Sequence, residues 1–165
     1  KNLSPYAFSK PKNLELLDNL SKWFKMKFEI IYFYNVYGPN QICKGNMATV
    51  IGIFTSQYKS KKALTVVKPG TQSRRFTHIL DTINICLYAW KKNKCRHYSI
   101  SNKKSYTIHQ VAKMFCSKIK LLPPRRGERY ASALTNINLS NKVHKYFGSI
   151  QLKDYIQNFV KKHNN

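Results

Sequence analysis

Three observations on the sequence predict an α/β fold. Residues 4–25 carry apolar side chains at helical spacing. The stretch "FEIIYFYNVYGP" at 28–39 is dense in β-branched and aromatic residues and runs out into a loop from Asn35 to Pro39. Helical and strand-like stretches then keep alternating to the far end, which is the grammar of helices packed on a sheet. With 165 residues, 42% of them hydrophobic, the chain is large enough for one domain with a real core.

Ser4 is suited to cap a helix and Pro5 to occupy its first turn. Leu14, Leu17, Leu20 and Phe24 recur along one face, widened by Leu16 and Trp23, so the spacing predicts a helix from Ser4 to about Lys25. Pro11 lies inside it, removes a backbone donor and crowds the carbonyl of Ala7, which predicts a bend. The segment "GNMATVIGIFTSQYKSKK" reads as helical from about Met47, and "ALTVV" as a short strand before the turn "KPGTQ". After "RRFTHI" a helix carries Ile83, Leu87 and Trp90 on its apolar face, and "CRHYSI" reads as a further strand. Thr107 and Gln110 have capping-box spacing, followed by Val111, Ala112, Phe115 and Ile119 on one side. "LPPRRGER" is a break. A helix is expected from about Leu139 to Phe147, stopped by Gly148, and a last one buries Leu152, Tyr155, Ile156, Phe159 and Val160 before "KKHNN" frays. No repeat, linker or boundary divides residues 1–165, which are expected to form a single unit.

Thirty lysines and arginines stand against six acids, a formal net charge of +24. Such a field attracts polyanions at low salt. The cations are nevertheless scattered between apolar positions, and no basic recognition helix, zinc module or RNA-reading aromatic motif is present, so a solvated basic surface without a specific nucleic-acid partner is expected. Cys43, Cys86, Cys95 and Cys116 lack the paired short spacing of a zinc or redox site, and the histidines form no metal set. A reduced, cytoplasmic setting is expected. No run is apolar enough to cross a bilayer and no signal-like core follows Lys1, so no membrane partner is expected.

The segment with chemistry to offer is "SPYAFSK". Tyr6 and Lys10 are four residues apart and so one turn apart on one helix face, a phenol beside an ammonium. A tyrosine ordinarily gives up its proton at about pH 10, and a neighbouring cation favours the phenolate and equips it for acid–base work. Taken alone, such a pair reads equally as surface structure. Three further segments stand after it in order: "YFYNVYGPNQ", "GTQSRRFTHILDT", and "PPRRGER" followed by "SALTNINLSNK". Together the four segments cover nearly the whole chain. They resemble the extended short-chain dehydrogenase/reductase family, and within it the NAD-dependent nucleotide-sugar epimerases and dehydratases.

The resemblance implies the C-terminal portion of an NAD(P)-binding Rossmann-like fold plus the smaller substrate-binding lobe. It implies reversible NAD-dependent hydride transfer at C4 of a UDP-hexose, with a 4,6-dehydratase or a non-enzymatic truncated relative as alternatives. By resemblance, Tyr6 is the catalytic base and acid, and Lys10 binds the nicotinamide ribose and lowers the tyrosine's pKa. Phe33 and Tyr34 lie near the cofactor. Asn35 and Asn46 approach the sugar-nucleotide phosphates, Leu64 to Val66 border the base, Arg74 and Arg125 clamp the diphosphate, and Glu128 accepts from the nucleotide ribose. Paired guanidinium groups suit phosphate oxygens chemically. A homodimer through the opening helix is a further implication. His78 reads as a packed core residue rather than a catalyst. The chain departs from the family pattern at Tyr32, where arginine is usual, at Arg75, where aspartate is usual, and at Pro69, where an acidic or small turn residue is usual. The family's glycine-rich cofactor loop has no counterpart before Tyr6, so these residues are expected to be the C-terminal half of the enzyme, inactive on their own.

Overall fold

The computed structural model describes residues 5–94, 97–124 and 143–164, with the side chains of Tyr6 and Ala7 left aside. Helix α1, Pro5–Phe24, is entered at Pro5 and continues uninterrupted through Pro11. Leu14, Leu17 and Leu20 are half-buried along it, whereas Leu16, Trp23 and Phe24 are exposed. The strand-like run that follows divides in two: β1, Ile30–Phe33, and β2, Val36–Tyr37. The break falls at Asn35, whose backbone takes the left-handed conformation (φ 38°), one that asparagine tolerates better than most residues.

Two layers of structure grow from this break. On one side, β1 pairs in parallel with β6, His97–Ser101, and β6 with β9, Val143–Phe147, giving the order β1-β6-β9 with Ile30 beside His97 and His97 beside Val143. Helix α3, Ile79–Lys92, covers one face of this sheet, packing Ile85 and Ala89 on Tyr98 and Ile100, with Ile31 and Tyr146 at the margin. The expected face of this helix is corrected by the structure. Ile83, Leu87 and Trp90 are 45%, 47% and 76% exposed, because the helix is apolar on two sides and the small Ala89 gives the closer approach to the strands. The helix expected to end at Phe147 is likewise corrected: residues 143–147 are strand β9. Val143, Tyr146 and Phe147 suit a pleated surface, and pairing with β6 satisfies their backbone groups.

On the other side, β3, Leu64–Val67, pairs in parallel with β8, Ile119–Leu122, and β4, Ser73–Arg75, pairs antiparallel with β7, Ser105–Thr107. Helices α2, Val50–Lys59, α4, Ile108–Lys113, and α5, Leu152–His163, enclose them. Thr49 caps α2 by accepting from Gly52 N–H at 3.0 Å, which sets its start three residues after Met47. Thr107 and Gln110 form the capping box of α4 in both directions. A continuous core joins Ile51, Phe54, Leu64, Val66, Phe76, Val111, Phe115 and Ile156, with Phe54 and Phe115 meeting edge to face at 5.9 Å. Helix α5 buries Leu152 and Ile156 and extends through His163, whose Nδ1 lies 2.8 Å from the carbonyl of Phe159, so the expected fraying begins later than Lys161.

The two sides are tied together by β2, which pairs in parallel with β5, Thr77–His78, and by Asp81 in the first turn of α3. Its carboxylate is buried and accepts from Ser149 Oγ at 2.9 Å and from Ile150 N–H at 3.0 Å. Gly148 lets the chain pass this close, since a Cβ there would come within 2.9 Å of Asp81 Oδ2. The result is an α/β Rossmann-like architecture with a parallel sheet and a smaller lobe.

Candidate functional site

Between the two layers lies a cavity of about 380 Å³, within the range of natural small-molecule sites. The floor is apolar, from Val36, Ile51, Phe54, Phe76, Ile108 and Leu122, and polar groups from separate elements converge on it. Arg74 comes from β4, half-buried, with Nη1 donating to the carbonyl of Ser73 at 2.8 Å. Asn35 comes from the left-handed break after β1 and donates through Nδ2 to the carbonyl of Arg75 at 2.8 Å. That bond fixes the side chain beside the arginine strand. Arg75 itself turns elsewhere, with Nη1 donating to the carbonyl of Asn102 at 3.3 Å, so successive arginines on β4 serve opposite faces.

Strand β3 supplies another wall. Leu64 and Val66 are fully buried in the core, and by alternation Thr65 and Val67 line the cavity. Leu64 N–H donates to Lys118 C=O at 2.8 Å and Lys68 N–H to Leu122 C=O at 2.9 Å, which turns the backbone groups of Thr65 and Val67 away from β8, toward the free edge. On that edge Thr65 N–H donates to Gln57 Oε1 at 3.0 Å, and Val67 C=O accepts from Gln72 Nε2 at 3.4 Å. The carbonyl of Thr65 and the N–H of Val67 remain as a neighbouring acceptor and donor. Sequence reading named the residues on either side of Thr65 and missed Thr65 itself, Val67, Gln57, Gln72 and Phe76. Alternation along "ALTVV" was the signal that could have found the first two.

The other residues named from the sequence are distributed as follows. Tyr6 and Lys10 are both in α1, one turn apart, and Lys10 is exposed. Phe33 is exposed at the carboxyl end of β1, while Tyr34 is buried and its hydroxyl accepts from Ser99 Oγ at 3.3 Å. Asn46 lies in an exposed turn two residues ahead of the cavity wall at Ala48. Arg125 and Glu128 lie outside the described residues. His78 sits beneath the site, packed edge-on to Tyr37 at 5.2 Å, with Nδ1 accepting from Leu80 N–H at 3.2 Å as the cap of α3. Burial pushes its pKa below the ordinary histidine value, with Asp81 opposing the shift. Burial likewise raises the phenols of Tyr37 and Tyr155, which stay neutral. Tyr32, in place of the usual arginine, lies with its hydroxyl 3.0 Å from His97 Nδ1 and its ring stacked on that imidazole. No metal-binding cluster occurs among the described residues.

Residues 1–101 match the NAD dependent epimerase/dehydratase family. The chain belongs to that family. Among epimerase/dehydratase relatives, it is 28% identical over 136 residues to a putative UDP-glucose 4-epimerase of Methanocaldococcus jannaschii, covering 78% of this chain and 43% of the relative. Its fold is similar to the UDP-glucose 4-epimerase of Thermotoga maritima, solved with UDP-glucose, at a TM-score of 0.82 and 22% identity, over 96% of this chain and 53% of that one. It is also similar to the dTDP-glucose 4,6-dehydratase of Bacillus anthracis, solved with NAD, at a TM-score of 0.76 and 18% identity, over 98% and 52%. The chain thus spans about half the length of the relatives it matches.

Proposed function

We propose that the chain is the C-terminal part of an NAD-dependent nucleotide-sugar 4-epimerase acting on a UDP-hexose. The observation that carries the reading is the cavity, where Arg74 and Asn35 meet an apolar floor and a free strand edge. Each component answers to one part of such a substrate. A guanidinium suits the diphosphate, the apolar floor suits a sugar-nucleotide body, and the Thr65 carbonyl and Val67 N–H suit the adjacent donor and acceptor of a base edge. Arg125 and Glu128 are proposed to complete the diphosphate and ribose contacts, and Asn46 to add a phosphate contact.

For NAD, the fit of the described residues is partial. The exposed aromatic face of Phe33 at the carboxyl end of a parallel strand, with Tyr34 behind it, suits a nicotinamide ring. Lys10 is a cation one helical turn from Tyr6, suited to a ribose hydroxyl. A glycine-rich turn from strand to helix, which would cradle the dinucleotide phosphates, is not found among the described residues. We assign that part to a cofactor-binding half continuing the sheet from the edge of β1 that lacks a strand among the described residues. Bound NAD would supply the acceptor and donor of hydride. The role proposed for this chain is to hold the UDP-sugar in the cavity, and for Tyr6, favoured as phenolate by Lys10, to take and return the proton of the C4 hydroxyl.

The relatives include a dehydratase, so the chemistry at C4 is tested by product analysis of the full-length enzyme given UDP-glucose. The expected product is the C4 epimer. Loss of water from the sugar would replace this reading by the dehydratase one. A homodimer through the exposed apolar residues of α1, and a cytoplasmic location consistent with free thiols at Cys43, Cys86 and Cys116, belong to the same proposal.

A further inference from the structure

Gln57, on α2, has no part in the function proposed above, yet it lies against the strand edge that faces the cavity. Its Oε1 accepts from Thr65 N–H at 3.0 Å, and its Nε2 donates to Thr65 Oγ1 at 2.8 Å. A peptide N–H can be met only by the amide oxygen, so this pairing fixes which end of the amide is nitrogen. An amide nitrogen carries two hydrogens. One is used at Thr65 Oγ1, and the second has no partner among the described residues.

The edge therefore offers the spare hydrogen of Gln57, the carbonyl of Thr65 and the N–H of Val67, in that order: donor, acceptor, donor. The complement is acceptor, donor, acceptor, which is the imide edge of uracil or thymine. Cytosine presents a donor and two acceptors and can match only two of the three positions. We propose that Gln57 is a specificity-determining residue of the nucleotide cavity, whose second amide hydrogen reads a ring carbonyl and selects an imide base. The inference rests on the reading of this cavity as a nucleotide-sugar site and names the base that the site takes.

The experiment is calorimetric titration of UDP and of CDP into the 165-residue chain, its Gln57→Ala variant and its Gln57→Glu variant. The wild-type chain should prefer UDP. Gln57→Ala should weaken UDP about five- to tenfold, the size of one hydrogen bond to a neutral group, and leave CDP within about twofold. Gln57→Glu keeps an acceptor for Thr65 N–H and sets a carboxylate oxygen against the base carbonyl, so UDP should fall further still. It also carries the test if the alanine variant does not fold. An unchanged ratio of the two affinities, or an equal loss of both, overturns the inference and leaves Gln57 as a brace for Thr65. Failure of the wild-type chain to bind UDP overturns the nucleotide reading of the cavity and this inference with it.

Discussion

The two layers of the molecule bury their apolar residues to very different degrees. The lobe built from α2, β3, β8, α4 and α5 closes around its own core, with Phe54, Leu64, Val66, Val111, Phe115 and Ile156 all within 1% of full burial. The layer built from α1, β1, β6, β9 and α3 buries only Ile85, Ala89, Tyr98 and Ile100 as a cluster, and leaves Leu16, Trp23, Phe24, Phe33, Ile83, Leu87 and Trp90 exposed. Hydrophobic gain scales with the area removed from water, so the lobe holds most of the stabilisation that this chain generates by itself. The proposed division of labour follows the same line. The lobe and the junction shape the nucleotide cavity, and the open layer presents Tyr6, Lys10 and Phe33, the groups assigned to the reaction.

The largest expected effect tests the open layer as the seat of the reaction. In the full-length enzyme Tyr6→Phe should lower turnover by about 10²–10⁴, the contribution of a positioned acid–base group, while UDP-sugar affinity stays close to wild type. Steady-state interconversion of the two C4 epimers, read beside ligand titration, measures both. Near-normal turnover removes Tyr6 from the mechanism.

Stability should separate the layers next. Phe115→Ala in the lobe core should cost about 3–5 kcal/mol through lost transfer energy and the cavity left behind. Trp90→Ala, at a side chain 76% exposed, should stay within about 0.5 kcal/mol. Urea denaturation of the 165-residue chain gives both numbers, and equal costs would dissolve the contrast.

Arg74→Ala should weaken UDP roughly 10- to 100-fold, the range for hydrogen bonds to charged groups, with little change in melting temperature. Calorimetry and a thermal melt of one variant decide it. A large drop in melting temperature with unchanged affinity would make Arg74 a structural residue.

The smallest effect concerns the junction. His78 is held neutral by burial, so its folded pKa lies below its unfolded one. Its contribution is fully present above the ordinary histidine value and is lost as pH falls through the folded pKa. The urea midpoint should therefore decline on acidification below about pH 6.5, the ordinary histidine value. His78→Asn keeps a cap acceptor for α3 and should flatten that decline. An identical pH profile in the variant would assign the decline to other groups.

Much of this was legible in the sequence because it depended on local chemistry. The capping box at Thr107 and Gln110, the strand at Leu64–Val67 and the stripe of Leu152 and Ile156 are each written within a few residues. What failed to read depended on partners distant in the chain. Helix α3 has two apolar faces, and only the approach of β6 determines that Ile85 and Ala89 go inward rather than Ile83 and Leu87. Residues 143–147 have enough helical spacing to mislead, and become strand because β6 offers a parallel edge. At the site, Arg74 and Asn35 stood in recognisable segments, whereas the edge formed by Thr65 and Val67 acts through backbone atoms, which a sequence pattern does not display.

Asp81 carries a consequence for how this sequence can vary. Lysine and asparagine fill its surface, and six acids remain among 165 residues. One of them stands where water does not reach, facing a hydroxyl and an N–H that both donate to it. Asparagine, the nearest substitute in shape, would turn an NH₂ group toward one of those donors, and lysine would bring a charge that neither can accept. A drift toward basic composition can thus run freely over the exposed faces of this protein and stops at the join between its layers, where a single carboxylate sets the limit.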